Sequence, residues 1–188
     1  SVDRLDYSKG IMIRLKSYEE FLENHPEYIG KVSLAMVVAP SRDNVEIYAG
    51  LKDEIDMKVG AINGKYSSME WTPVYYFYRP FNFEELAAFY HIADIALITP
   101  IRDGMNLVAK EYIATKRNEA GVLILSEMAG AAIELSDAIL VNPTDIREIG
   151  HAIHQALEMP VKEQLENIAL MQEIISEQTV KQWSKDFI

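Results

Sequence analysis

Ile95-Ala96-Leu97-Ile98-Thr99-Pro100-Ile101-Arg102-Asp103-Gly104-Met105-Asn106-Leu107-Val108-Ala109-Lys110-Glu111 runs through three kinds of sequence in succession. The stretch 95–99 lacks the alternation of a half-exposed strand and reads as a strand covered on both faces. Pro100 ends it, and Gly104 permits a tight turn with close backbone approach. A helix is predicted over 105–117, so the amides near Asn106–Val108 point unpaired out of its N-terminus. That end is an anion site by geometry and dipole.

The same unit recurs in both directions. Strand-like runs lie at 2–5, 32–39, 74–78, 121–125 and 139–141, and helical segments near 10–23, 43–60, 83–92, 127–135 and 145–158. Strand and helix in alternation imply right-handed crossovers and a parallel sheet with helices on both faces. The fold class is therefore α/β, a doubly wound Rossmann-like parallel sheet. After Met159-Pro160 the pattern is helix only, with Leu165, Ile168, Leu170, Ile174 and Ile175 as its apolar face. Trp183 and Phe187 fall four apart in a last helical segment over 179–188. No repeat, low-complexity tract or flexible linker divides the chain, so 1–188 reads as one domain. Its first strand has about four residues, short for a central strand. A further part is therefore expected on the N-terminal side.

With 29 acidic residues against 18 basic ones, the net charge of -11 argues against nucleic acid or an anionic membrane as partner. A small anion needs only a local cluster of cations and oriented amides, so it stays open. Cysteine is absent, which removes disulfides and thiolate metal sites. No apolar run reaches the ~20 residues of a membrane span, and no signal-peptide pattern opens the chain. The expected location is cytoplasmic.

In open parallel sheets, ligands sit beyond the carboxyl ends of the strands. In Arg4-Leu5-Asp6-Tyr7-Ser8-Lys9-Gly10, two cations five apart could hold a diphosphate or could simply be solvated. Asp103 could accept from a sugar hydroxyl or cap the helix, and Glu111 could bind ribose hydroxyls or be a surface acid. In Ala39-Pro40-Ser41-Arg42, Arg42 taken alone favours capping or solvent over a second phosphate. His151 and His154, three apart, have no third ligand nearby in sequence and are not read as a metal pair.

Arg4-Leu-Asp-Tyr-Ser-Lys-Gly-Ile, Ala39-Pro-Ser-Arg, Ile62-Asn-Gly-Lys-Tyr, Trp71-Thr-Pro-Val-Tyr-Tyr, the fourteen residues from Thr99 and Ser126-Glu-Met-Ala-Gly-Ala-Ala resemble the trehalose-6-phosphate synthase family. They occur in the family's order and cover nearly the whole chain. The resemblance implies a retaining, metal-independent glycosyltransferase of the two-domain GT-B architecture, of which this is the C-terminal, donor-binding half. It implies transfer of glucose from UDP-glucose to glucose 6-phosphate, with no cofactor. By motif match, Arg4 and Lys9 would bind the donor diphosphate and serve the leaving group. Asp103 with the turn Gly104, Met105 and Asn106 would hold the glucose hydroxyls, the Leu107 and Val108 amides the phosphates, and Glu111 the ribose. Phe81 would bind uracil through its backbone with Leu86 packed beside it, and Arg42 would contact the phosphate of glucose 6-phosphate. Phe83 departs from the basic residue that many members carry there. The family's N-terminal domain, with its glycine loop, a histidine and most of the acceptor pocket, is missing from this sequence.

The chain contains no Asp-x-Asp, the usual carboxylate pair for a divalent ion on a sugar nucleotide. The cations and the helix N-terminus would take that place. Alternatives carried forward are a related transferase with another phosphorylated acceptor and a nucleotide-sugar-binding module without catalysis. A sugar-nucleotide epimerase is disfavoured by the Asp103–Glu111 motif.

Overall fold

The computed structural model describes residues 1–41 and 46–177; Arg42, Trp183 and Phe187 lie outside them. In chain order the elements are β1 (Val2–Arg4), α1 (Ile11–Asn24), β2 (Leu34–Ala39), α2 (Glu46–Tyr66), β3 (Val74–Phe77) and α3 (Phe83–Ile92). They continue with β4 (Ile95–Ile98), α4 (Leu107–Thr115), β5 (Val122–Ser126), β6 (Ile139–Val141), α5 (Ile146–Glu158) and α6 (Val161–Glu177). Every strand pair is parallel.

The strands form two ladders, β1-β2-β3 and β4-β5-β6, where the sequence suggests one sheet. No ladder joins β1 to β4 among the described residues; their carboxyl ends meet through loops instead. The Ile101 amide donates to the Ser8 carbonyl at 2.7 Å, and the Arg14 Nε donates to Thr99 Oγ1 at 3.1 Å. β1 has three residues, too few for a ladder on each side of any length.

The double cover that makes the strand runs apolar is visible residue by residue. On β4, Leu97 joins one core while Ala96 and Ile98 join the other; on β5, Val122 and Ile124 part from Leu123 and Leu125 in the same way. The first core collects α1, α2 and α5, the second α3, α4 and α6. β3 departs from the double cover: it edges its ladder, and Tyr75 and Phe77 are exposed.

Three helix expectations are corrected. α2 runs on to Tyr66, where Asn63 pairs with both backbone groups of Val74 at 2.9 and 3.0 Å. α4 starts at Leu107 because Asn106, at φ 71°, is left-handed and caps it. Instead of a helix over 127–135 there is a 3-10 turn, Gly130–Ile133, preceded by a single bridge between Ala129 and Asp103. No helix among the described residues is long and apolar enough to cross a membrane.

Candidate functional site

The loop after β1 and the loop after β4 come together at the carboxyl end of the ladders. Gly10 lets them touch: at φ 66°, a Cβ there would lie 2.5 Å from the Thr99 carbonyl oxygen. Across this contact Lys9 Nζ donates to Asp103 Oδ2 at 2.5 Å, joining residues 94 apart in sequence. The same carboxylate accepts from Asn106 Nδ2 at 3.1 Å and the Met105 amide at 3.3 Å. Burial raises the Asp103 carboxyl, but Lys9, the Met105 amide and Asn106 outweigh it and hold the group below the ordinary carboxylate range. Asp103 is therefore not the cap of α4, a place Asn106 takes, and Lys9 is not simply solvated.

A cavity of about 440 Å³ opens here, lined by Val2, Asp3, Arg4, Lys9, Ala39, Asp103 and Met105 to Val108. The N-terminus of α4 forms one wall. The Asn106 side chain accepts from the Ala109 amide at 3.0 Å, which leaves the Leu107 and Val108 amides as the ones helix geometry strands. The turn is braced from β5: Gly130 donates to the Asp103 carbonyl at 2.9 Å, and Ala131 to that of Met105 at 2.7 Å. A Cβ on Gly130 would lie 2.1 Å from the Gly104 oxygen, so only glycine allows this approach.

Seven of the residues singled out in the sequence thus share one cavity: Arg4, Lys9, Asp103, Met105, Asn106, Leu107 and Val108. Gly104 sits in the turn beneath it. Glu111 is one turn along α4, exposed and outside the lining, where it accepts from the Tyr90 hydroxyl at 3.0 Å. Burial and that carboxylate push the Tyr90 phenol upward, so it remains a donor. Phe81 and Leu86 are also outside the lining. The Phe81 ring packs on Phe77 and Phe89 with the Arg79 guanidinium 4.3 Å from its centroid, and Leu86 lies against the second core. Arg42 is outside the described residues.

Sequence reasoning missed Arg14. Its side chain is fully buried, yet it touches every part of the site's foundation. It donates to Asp3 Oδ2 at 2.5 Å, to Thr99 Oγ1 at 3.1 Å and to the Lys9 carbonyl at 2.9 Å. A signal was present: Arg14 falls among Ile11, Leu15, Tyr18 and Leu22 on the buried stripe of α1, where a cation needs a reason. Gly130 had its signal in Met128-Ala129-Gly130-Ala131, four small or flexible residues after a strand. Among the described residues, the group of donors close enough to share a metal is His25, Glu27 and His154, none of them in this cavity.

The chain matches a known family from end to end. The profile of glycosyltransferase family 20 covers residues 1–188. The chain belongs to glycosyltransferase family 20. It is 49% identical over 188 residues to the bifunctional trehalose-6-phosphate synthase/phosphatase of Thermoproteus tenax, covering all of this chain and 26% of that protein. The α,α-trehalose-phosphate synthase (UDP-forming) of Burkholderia xenovorans, solved in complex with glucose-6-phosphate, superposes with a TM-score of 0.96 at 39% identity over 99% of this chain and 41% of that one. The E. coli structure described as bound with UDP-2-fluoro glucose gives 0.95 at 41% identity, over 99% of this chain and 42% of that one. This family 20 chain therefore has the α/β fold of the GT-B trehalose-phosphate synthases and spans about two-fifths or less of the length of these relatives.

Proposed function

We propose that this chain is a single UDP-glucose-binding domain, the donor half of a retaining glucosyltransferase that forms trehalose 6-phosphate and UDP from UDP-glucose and glucose 6-phosphate. The observation that carries the reading is the cavity in which Arg4, Lys9, Asp103 and the N-terminus of α4 converge from opposite ends of the sequence. Arg4 supplies a planar fork for a diphosphate, Lys9 a mobile point charge. The Leu107 and Val108 amides add two oriented donors backed by the helix dipole. As the bond from glucose C1 to the diphosphate breaks, negative charge grows on the departing oxygen, where fixed cations and amides stabilise it. Met105, Asn106 and Asp103 form the wall against which the sugar would lie.

The neutralising groups are protein groups, so the transfer is proposed to need no metal and no cofactor. Glu111 as ribose acceptor, the Phe81 backbone at uracil and Leu86 beside it belong to the same proposal, as do Arg42 at the acceptor phosphate and a cytoplasmic location. The excess of acidic residues speaks against nucleic acid as a partner. A second domain supplying the acceptor side is proposed from the share of the relatives that this chain leaves uncovered. Exposed Tyr7, Ile101, Met105, Met128 and Ile133 on the surrounding loops and turns, with Leu107 at the start of α4, form an apolar rim suited to a facing surface.

Calorimetric titration of this chain with UDP, with and without EDTA, tests the reading. Binding is expected in both, weakened about tenfold or more by Arg4→Ala or Lys9→Ala, since each removes a charge-assisted bond of about 1.5–3 kcal/mol. Binding that vanishes with EDTA overturns the metal-free form of the proposal.

A further inference from the structure

We infer that His25, Glu27 and His154 form a binding site for a divalent transition-metal ion of the zinc kind, one that clips the C-terminal end of α1 to α5. The proposed transfer uses none of the three. In the sequence, His154 has His151 as its natural companion on α5; the fold gives it a different one. α1 packs along α5, and His25, the C-cap just after α1, lays its ring on His154 with centroids 4.0 Å apart and planes at 12°. Glu27 follows in the 3-10 turn Pro26–Tyr28, with Oε1 3.4 Å from His25 Nδ1. One donor atom from each of the three lies within 4.8 Å of the others.

A tetrahedral ion with bonds of about 2.0–2.1 Å holds its donors about 3.3 Å apart. The His25–Glu27 pair already has that spacing, and the remaining separations need to close by about 1.5 Å at most. Closing them requires the two imidazoles to turn out of their face-to-face stack, so that a lone pair of each points at a common centre. Two imidazoles and one carboxylate favour zinc, cobalt, nickel or copper over magnesium or calcium, which prefer all-oxygen shells. Three protein ligands leave the fourth position to water. The surroundings limit how far the rings can stray: Phe21 lies 5.5 Å from the His25 ring and Tyr28 5.9 Å from that of His154. Tyr28 is itself tied down, donating to Glu158 one turn beyond His154 on the same helix.

The test is titration of the untagged chain with zinc chloride, paired with the visible absorption of added cobalt(II). One equivalent of zinc is expected to bind with micromolar affinity, and cobalt to give the intense bands of a four-coordinate ion. His25→Ala and His154→Ala should each weaken zinc at least about tenfold. His151→Ala and His91→Ala should leave it unchanged; His91, 3.1 Å from Glu119, is the competing His–carboxylate pair. If circular dichroism shows either ligand variant to be unfolded, Glu27→Gln, which alters an exposed side chain, should still weaken zinc several-fold. No uptake at millimolar zinc, or binding abolished by His91→Ala and untouched by His25→Ala, overturns the site. UDP titration of the same variants is expected to match the unaltered chain, so failure here leaves the donor-binding reading standing and the reverse holds too.

Discussion

A guanidinium with no exposed surface must find anions and acceptors inside the protein, and Arg14 finds them in the three segments the site is built on. Breaking such a buried pair by removing one partner typically costs 3–5 kcal/mol, because the other charge is left unpaired. Arg14 therefore fixes the backbone from which Lys9 projects while never reaching the cavity. Lys9 and Asp103 are different in kind. Both keep some exposure at the cavity, so their pairing can exchange with solvent or ligand. In the proposed function an incoming phosphate would take the ammonium, leaving Asp103 held by Asn106 and the Met105 amide to accept from sugar hydroxyls. The carboxyl sits below its ordinary value of 3.8, so its ionised form stabilises the folded chain. That contribution is complete above the ordinary value and is lost as pH falls through the lower, folded one. Asp103→Asn should therefore melt below the unaltered chain at pH 6, and the difference should close as pH is taken down through the ordinary carboxylate range and below it. A gap that persists undiminished in acid would mean that the loss comes from packing, with the ionised carboxylate contributing nothing.

At the scale of elements, the site is two loops and a helix end, braced by the turn after β5. Gly130 is the brace's tightest point. Gly130→Ala would drive a Cβ to 2.1 Å from the Gly104 oxygen and 3.2 Å from Met105 Cα, so the turn that carries Asp103 must move. A loss of about 1–3 kcal/mol in stability is expected together with weaker UDP binding. Gly60→Ala is the control: it lies exposed within α2 with open space around it, and should gain about 0.5–1 kcal/mol with no change in UDP binding. Denaturant melts and calorimetry on the pair separate a specific brace from a general sensitivity to added bulk. The turn from Thr99 to Val108 was legible in the sequence because glycine, proline and a following helix are local signals. The contact from Lys9 to Asp103 was legible only in part: both residues could be named, but their pairing depends on two loops meeting at Gly10. Arg14 and Gly130 were not read, because their roles depend on what lies across from them, and a single sequence carries no such distances. The same limit explains the histidines, where the near neighbour in sequence, His151, was weighed and the neighbour in space, His25, was not.

For the whole molecule, the decisive fact is how much of the relatives' length this chain spans: 41% of the Burkholderia xenovorans structure and 26% of the Thermoproteus tenax protein. The cavity is about 440 Å³, and under the proposed function its groups would hold the diphosphate of the donor. Transfer between two substrates depends on holding both in reacting geometry, which lowers the barrier by about 7–11 kcal/mol in well-oriented systems. A donor held on one side alone gains the stabilisation of its leaving group and none of that positioning. The chain as it stands should therefore bind UDP yet release no trehalose 6-phosphate above background from UDP-glucose and glucose 6-phosphate. A chain extended to the length of its relatives should form the product, with UDP released in equal amount. Coupled detection of UDP alongside chromatography of the phosphorylated sugar distinguishes transfer from slow hydrolysis of the donor. Stoichiometric product from the short chain, at a rate near that of the extended one, would show that the groups around Lys9 and Asp103 suffice by themselves and that the facing domain contributes nothing to positioning.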